Sequence, residues 1–131
     1  MIDHLELTSE NYEAMCAFYA KALAPLDYAR VTQRPPTRFG TAYAPPFWLR
    51  PGVTPRPNVH YAFRCATRAQ VRAVSEAAIA AGGVARRPPT LLPNVHPHYD
   101  SAMVRDPDQN PIEFACHDPE SSARGFSPPR S

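Results

Sequence analysis

One order of elements occurs twice in this chain, and it constrains the fold more than any other feature. "IDHLELT" alternates Leu5 and Leu7 against Ile2, His4 and Glu6, the period-two pattern of a strand over residues 2–8. Ser9 stands where a helix N-cap belongs, and Glu10 and Glu13 fall where the helix dipole favours a carboxylate. Tyr12, Met15, Tyr19, Ala22 and Leu23 then recur at helical spacing until Pro25. Three short β-prone pieces follow, in "YARVTQ", "RFGTAYA" and "PFWL", divided by proline and glycine turn signals. The second pass begins at "NVHYAFRC", where Val59, Tyr61, Phe63 and Cys65 alternate with His60, Ala62 and Arg64. Thr67-x-x-Gln70 forms a capping box, Val71, Val74, Ala78 and Ala81 share one helical side, and Gly82-Gly83 stops the helix. Strand candidates in "VARRPPTLL", "YDSAMVR" and "PIEFACH" complete the order, the last two separated by a turn over residues 106–110.

Four strands backed by one helix cannot close a cup, whereas two such units related by a pseudo-dyad can. The expected fold is α+β, with two βαβββ modules forming a cup-shaped mixed β-sheet. A single domain is expected over residues 1–117, divided at about residue 54 into module one (1–54) and module two (55–117). Residues 118–131, rich in Ser, Pro and Arg and without periodicity, are expected to be a mobile tail.

The chain has 131 residues, 44% of them hydrophobic and 20% charged, which suits one compact core. Its formal charge of +2 arises from 14 basic and 12 acidic side chains scattered along the sequence, not from the clustered basic stripe that a phosphate backbone requires. Nucleic acid is thereby excluded as an expected partner. No apolar run approaches the ~20 residues that span a bilayer, and Asp3, His4 and Glu6 interrupt any export signal, so no membrane partner and a cytoplasmic location are expected. Three widely spaced cysteines, Cys16, Cys65 and Cys116, read as small buried hydrophobes rather than a disulfide framework.

The strand faces carry the chemistry. His4 lies opposite Leu5 and Leu7 in the first strand, His60 opposite Tyr61 and Phe63 in the fifth, and Glu113 opposite Ile112 and Phe114 in the last. Each module therefore buries an apolar face under its helix and turns a metal-capable side chain the other way. A glutamate within a half-buried strand is costly unless a cation compensates it. Two imidazoles and one carboxylate on a shared concave face form a facial ligand set for a divalent ion, with positions left open for water or substrate oxygens.

"IDHLEL" followed by "FYAKALAPLDY", "HYAFRC" with a helix ending "AAIAAGG", and "YDSAMVRDPDQNPIEFACH" together resemble the vicinal oxygen chelate superfamily, the glyoxalase, bleomycin-resistance and extradiol dioxygenase proteins. The resemblance covers nearly all of the chain up to His117, and its most specific piece is the turn, strand and glutamate at its end. It implies the paired-module cup, a homodimer, and a metal held by His4, His60 and Glu113. A fourth metal position falls on or beside Trp48 in "PFWL", where no carboxylate stands. That departure weakens the likeness to glyoxalase I and favours a three-ligand site of the dioxygenase kind, or a lapsed one. The implied activity is that of a metal-dependent lyase, isomerase or dioxygenase acting on a small oxygenated substrate. Its divalent ion would be Zn, Ni, Mn or Fe, with Glu113 or a metal-bound hydroxide as base. The alternative is a metal-free small-molecule binding protein of the bleomycin-resistance type, favoured by the missing fourth ligand and by Trp48, Tyr43 and Tyr99 as ligand-contacting aromatics.

Each residue has a second reading. Glu113 can pair with Arg64, which shares the face of His60 and is a substrate-binding candidate. Trp48 is either core packing or an apolar floor for a ligand. Tyr99 is either a cross-strand aromatic or a phenol in the cup. His96 and His98 in "NVHPHYD" are outer-site candidates on a loop, and Arg86 and Arg87 read as a solvated edge. Gln109 occupies a turn position where φ > 0 would cost about 1 kcal/mol.

Overall fold

The computed structural model describes residues 1–119. Its elements run β1 (Leu5–Ser9), α1 (Tyr12–Ala22), a 3-10 turn (Ala24–Leu26), β2 (Ala29–Arg30), β3 (Thr37–Gly40) and β4 (Phe47–Pro51), then β5 (Tyr61–Cys65), α2 (Arg68–Ala80), β6 (Val84–Leu91), β7 (Asp100–Arg105) and β8 (Pro111–Cys116). Two four-stranded sheets share one order, β1-β4-β3-β2 and β5-β8-β7-β6. In each, the first strand pairs parallel to the last, and the remaining neighbours are antiparallel. The expected tail lies, beyond Pro119, outside the described residues.

Local chemistry accounts for most boundaries. Thr67 accepts the Gln70 amide at 3.0 Å and caps α2, while Gln70 reaches back to the Ala66 amide at 2.7 Å, one residue earlier than a standard capping box. At the other end Gly82 takes φ 106 and Gly83 donates to Ala78 O at 2.9 Å. At α1 the expected cap differs. Ser9 is the last residue of β1, the N-cap is Asn11 without a side-chain cap, and Ser9 Oγ accepts the Asn11 amide at 2.9 Å. That helix is held by its buried face of Met15, Cys16, Phe18, Tyr19 and Ala22 rather than by its end. Strand β6 runs through Pro88 and Pro89, which is tolerated because β6 is an edge strand and its register shifts between Arg87 and Thr90.

The core crosses from one module to the other. Tyr19 of α1 packs on Phe47 of β4 (ring centroids 4.7 Å apart), Phe47 on Phe63 of β5 (5.4 Å), and Phe63 on Phe114 of β8 (6.0 Å). Each such ring contributes roughly 1.5–3 kcal/mol through burial. All three cysteines are buried and free, and burial pushes the Cys65 thiol up to about 12, which keeps it inert.

The turn before β8 is a clasp. Asp106 Oδ1 accepts the amides of Asp108 and Asn110, both at 2.9 Å, and Oδ2 accepts Asn110 Nδ2 at 3.0 Å and the Tyr19 hydroxyl at 2.5 Å. Asn11, just ahead of α1, donates to Asp108 Oδ1 at 2.9 Å, and Asn110 Oδ1 accepts the Val59 amide at 3.1 Å. One turn thus ties together the first helix, the approach to β5 and the start of β8. Gln109 closes it at φ 72, in the left-handed conformation that costs a residue with a Cβ.

Candidate functional site

Strand parity sorts side chains onto the face away from the helices. In module two, the β7 and β8 register sets Met103 opposite Glu113 and Ser101 opposite Ala115, while β5 contributes Ala62 and Arg64 alongside Glu113 and Ala115. His60 lies one residue before β5 and Tyr99 one residue before β7. Glu113, 8% exposed, is the centre of this face. Its Oε1 lies 3.2 Å from His60 Nε2, and its Oε2 accepts the Tyr99 hydroxyl at 2.6 Å and the Ser101 hydroxyl at 2.7 Å. The Arg87 guanidinium stands 3.7 Å from the same oxygen and donates to Ser101 O at 2.7 Å and Ser101 Oγ at 2.8 Å.

The electrostatics follow from these contacts. Burial pushes the Glu113 carboxyl up, but hydrogen bonds from Tyr99, Ser101 and His60 and the charge of Arg87 outweigh it and hold the group below its ordinary value. The carboxylate is therefore ionised at neutral pH. Burial, then the hydrogen bond and charge of Glu113, raise the Tyr99 phenol to about 12, so Tyr99 is a fixed donor.

Module one builds its face around Trp48. The His4 imidazole, one residue before β1, lies flat on the indole with centroids 3.6 Å apart and planes 9° apart. Arg38 of β3 sets its guanidinium carbon 4.3 Å from the ring centroid. Because β4 lies between β1 and β3, the two arrive from opposite sides and cover both faces of the indole. Its Nε1 donates to Pro45 O at 2.7 Å. His4 Nδ1 is 2.7 Å from Asp3 Oδ2, which leaves Nε2 as its open nitrogen. Beside them Arg50 Nε donates to Glu6 Oε2 at 3.0 Å.

Of the expected ligands, His60 and Glu113 are brought together within one chain. His4 is held separately against Trp48, and among the described residues no three His, Cys, Asp or Glu side chains gather as a metal group. Tyr99 enters the site as a phenol bonded to Glu113. Tyr43 is 99% exposed and touches none of these residues. Glu113 meets Arg87, not Arg64, as its guanidinium partner. Arg87, read from sequence as a solvated edge, is a half-buried member of the site. Ser101 went unread as well, although the period-two alternation of "YDSAMVR" carries Tyr99 and Ser101 onto one face. His96 is a hydrogen-bond partner of His117, at 2.9 Å between Nε2 and Nδ1, and the backbone amide of His98 donates to His96 Nδ1 at 3.1 Å.

The His60 and Glu113 pair fits a divalent ion. Two cis ligands with bonds of about 2.1 Å stand roughly 3.0–3.4 Å apart, which brackets the separation observed between Nε2 and Oε1. The second carboxylate oxygen is oriented by Tyr99 and Ser101, and the imidazole of His4 by Asp3 and Trp48. Among the described residues no helix is long and apolar enough to cross a membrane.

No protein-family model matches the sequence, and no curated protein sequence matches it. Solved structures do resemble it. A glyoxalase/bleomycin resistance protein from Albidiferax ferrireducens is 21% identical, with a TM-score of 0.75 and coverage of 88% of this chain and 98% of that one. A glyoxalase/bleomycin resistance protein/dioxygenase family enzyme from Burkholderia phytofirmans is 16% identical, with a TM-score of 0.68 over 89% of this chain and 98% of that one. TioX from Micromonospora is 14% identical, with a TM-score of 0.68 over 90% and 99% of the two chains. Two βαβββ modules of matching strand order, with their polar residues gathered on the face away from the helices, give this chain the fold of the glyoxalase, bleomycin resistance and dioxygenase proteins.

Proposed function

We propose that this chain is a metal-dependent enzyme of the vicinal oxygen chelate type, a lyase, isomerase or dioxygenase that acts on a small oxygenated molecule. The observation that carries the reading is the pairing of His60 Nε2 with Glu113 Oε1 at 3.2 Å, with the other oxygen of Glu113 held by Tyr99 and Ser101. His60 and Glu113 supply two donors. His4 supplies the third through its open Nε2. His4 is not grouped with the other two in one chain, so the reading requires a homodimer in which the donor set would close between two copies. A bound zinc, nickel, manganese or iron ion would act as a Lewis acid toward substrate oxygens. The residues of the chain do the rest. Glu113 stays ionised at neutral pH and Tyr99 keeps its proton, so the pair offers an acceptor and a donor 2.6 Å apart at the reacting end of the cup.

Trp48 supports a second reading. At the place where a fourth ligand would stand this chain has an indole and no carboxylate, as a metal-free binding protein would, although His4 and Arg38 take both faces of that indole and leave only its edge to a ligand. Metal analysis of protein purified without affinity metals separates the two. Stoichiometric ion that is lost in His60→Ala supports the enzyme. Absence of ion, with no thermal shift on adding zinc, nickel, manganese or iron, leaves the binder.

A further inference from the structure

The face that holds Glu113 continues past Ala115 to His117, one residue beyond β8, and Arg64 stands opposite Ala115 on β5. The protonation of His117 can be read from its neighbours. The backbone amide of His98 donates to His96 Nδ1, and since an amide only donates, that nitrogen carries no proton. A neutral imidazole bears one proton, so His96 carries it on Nε2 and gives it to His117 Nδ1 at 2.9 Å. His117 must then bear its own proton on Nε2. A doubly protonated His117 would set two N–H groups against each other, and burial, Arg64 and His96 all disfavour that charged form. Tyr99 packs edge-on against both imidazoles, 5.4 Å from His96 and 5.0 Å from His117, and holds the chain of rings in place.

This leaves two donors without acceptors. Among the described residues neither Arg64 nor His117 Nε2 has a hydrogen-bond or ion-pair partner, and Arg64 is near enough for its charge to act on His117. The carboxylates facing His117 are Glu113, already engaged by Tyr99, Ser101, His60 and Arg87, and Asp118, which is exposed and makes no ion pair among the described residues. Along β5 only the exposed Ala62 lies between Arg64 and His60, while Tyr99 spans from His117 to Glu113 on the other side. Four strand residues span about 13 Å, so one small molecule can reach both ends.

We infer that Arg64 and the Nε2–H of His117 form a carboxylate-binding subsite, and that the ligand of the cup is a small organic acid whose uncharged, oxygenated end faces Glu113. A guanidinium and an imidazole N–H on neighbouring positions of one sheet face can each take one oxygen of a carboxylate. The inference rests on the proposed function only for what the far end of the ligand meets. Capture of the carboxylate needs no ion.

The test uses the full chain stripped of metal, with benzoate as probe and benzamide as its uncharged counterpart, read by calorimetry. Benzoate is expected to bind saturably and benzamide about 10-fold or more weaker. Arg64→Met and His117→Phe should each lose about 10-fold or more in benzoate affinity, while Arg86→Met on the exposed edge should match the parent. Long-range proton–nitrogen spectra should place the His117 proton on Nε2, and benzoate should shift that resonance. A proton on Nδ1, or equal affinity for benzoate and benzamide, overturns the inference. Benzoate binding in a protein that takes up no metal sinks the catalytic proposal and keeps this one; metal uptake without benzoate binding does the reverse.

Discussion

The imidazole of His4 lies on the indole of Trp48 at 3.6 Å, with its Nδ1 committed to Asp3 and its Nε2 open. A ring so held loses little freedom on binding an ion. Trp48→Ala should leave the fold intact, because Trp48 lies only half-buried, and should weaken zinc or nickel binding by about 10- to 100-fold in calorimetric titration. Unchanged affinity would show that the stack has no bearing on the metal.

Mixing copies tests how the donor set closes. If His4 of one copy joins His60 and Glu113 of another, His4→Ala and Glu113→Gln are each inactive alone. Exchanged into mixed dimers, they should recover roughly a quarter of the parent sites. Metal content per dimer, measured after unfolding and refolding the two together, gives the answer. No recovery would mean that the three side chains serve one and the same copy.

Acid should expose the network around Glu113. Its folded pKa lies below the ordinary 4.5, so its contribution is complete above that value and is lost as the pH falls from there through the folded pKa. Asp106 moves the other way. Burial raises its pKa against its hydrogen bonds, so its titration favours the folded state as pH falls. Comparison with Glu113→Gln separates the two. At neutral pH the variant should be less stable by about 1–3 kcal/mol in urea, and the gap should narrow below pH 4. A constant gap would place the effect in packing instead.

Gln109 holds φ 72 at the tip of the clasp, fully formed but strained. Gln109→Gly should raise the thermal midpoint, by a stability gain of about 0.5–1 kcal/mol, without altering metal or ligand binding.

The duplicated order of elements was legible because period-two and period-3.6 patterns sit between strong breakers such as Pro25 and Gly82-Gly83. Parity likewise gave His60 and Glu113 a common face, and the register of β5 on β8 bears this out. The N-terminal end of α1 was misjudged because Ser9 serves β1 and caps nothing, a choice set by tertiary pairing with Pro51. Arg87 was misread because the prolines that follow it suggest exposure. The edge strand instead bends at those prolines, and the Arg87 side chain turns inward to Ser101. Tyr43 stands fully exposed on the loop ahead of Pro45 and Pro46, whose carbonyls are held by Trp48 and Leu5 while its own ring projects into solvent. The separation of His4 from the other two donors could not be read from spacing, because it depends on how two sheets are set side by side.

The hydroxyl of Tyr19 ends on Asp106, and the side chain of Asn11 ends on Asp108. Both belong to the far side of the molecule from the cup, yet Asp106 and its neighbours fix where β8 begins and where the backbone of Val59 enters β5. The stance of His60 and Glu113 is therefore set from behind, as a hinge pin sets a door. Drift in the first helix would be felt at the mouth of the cup before any residue there had changed.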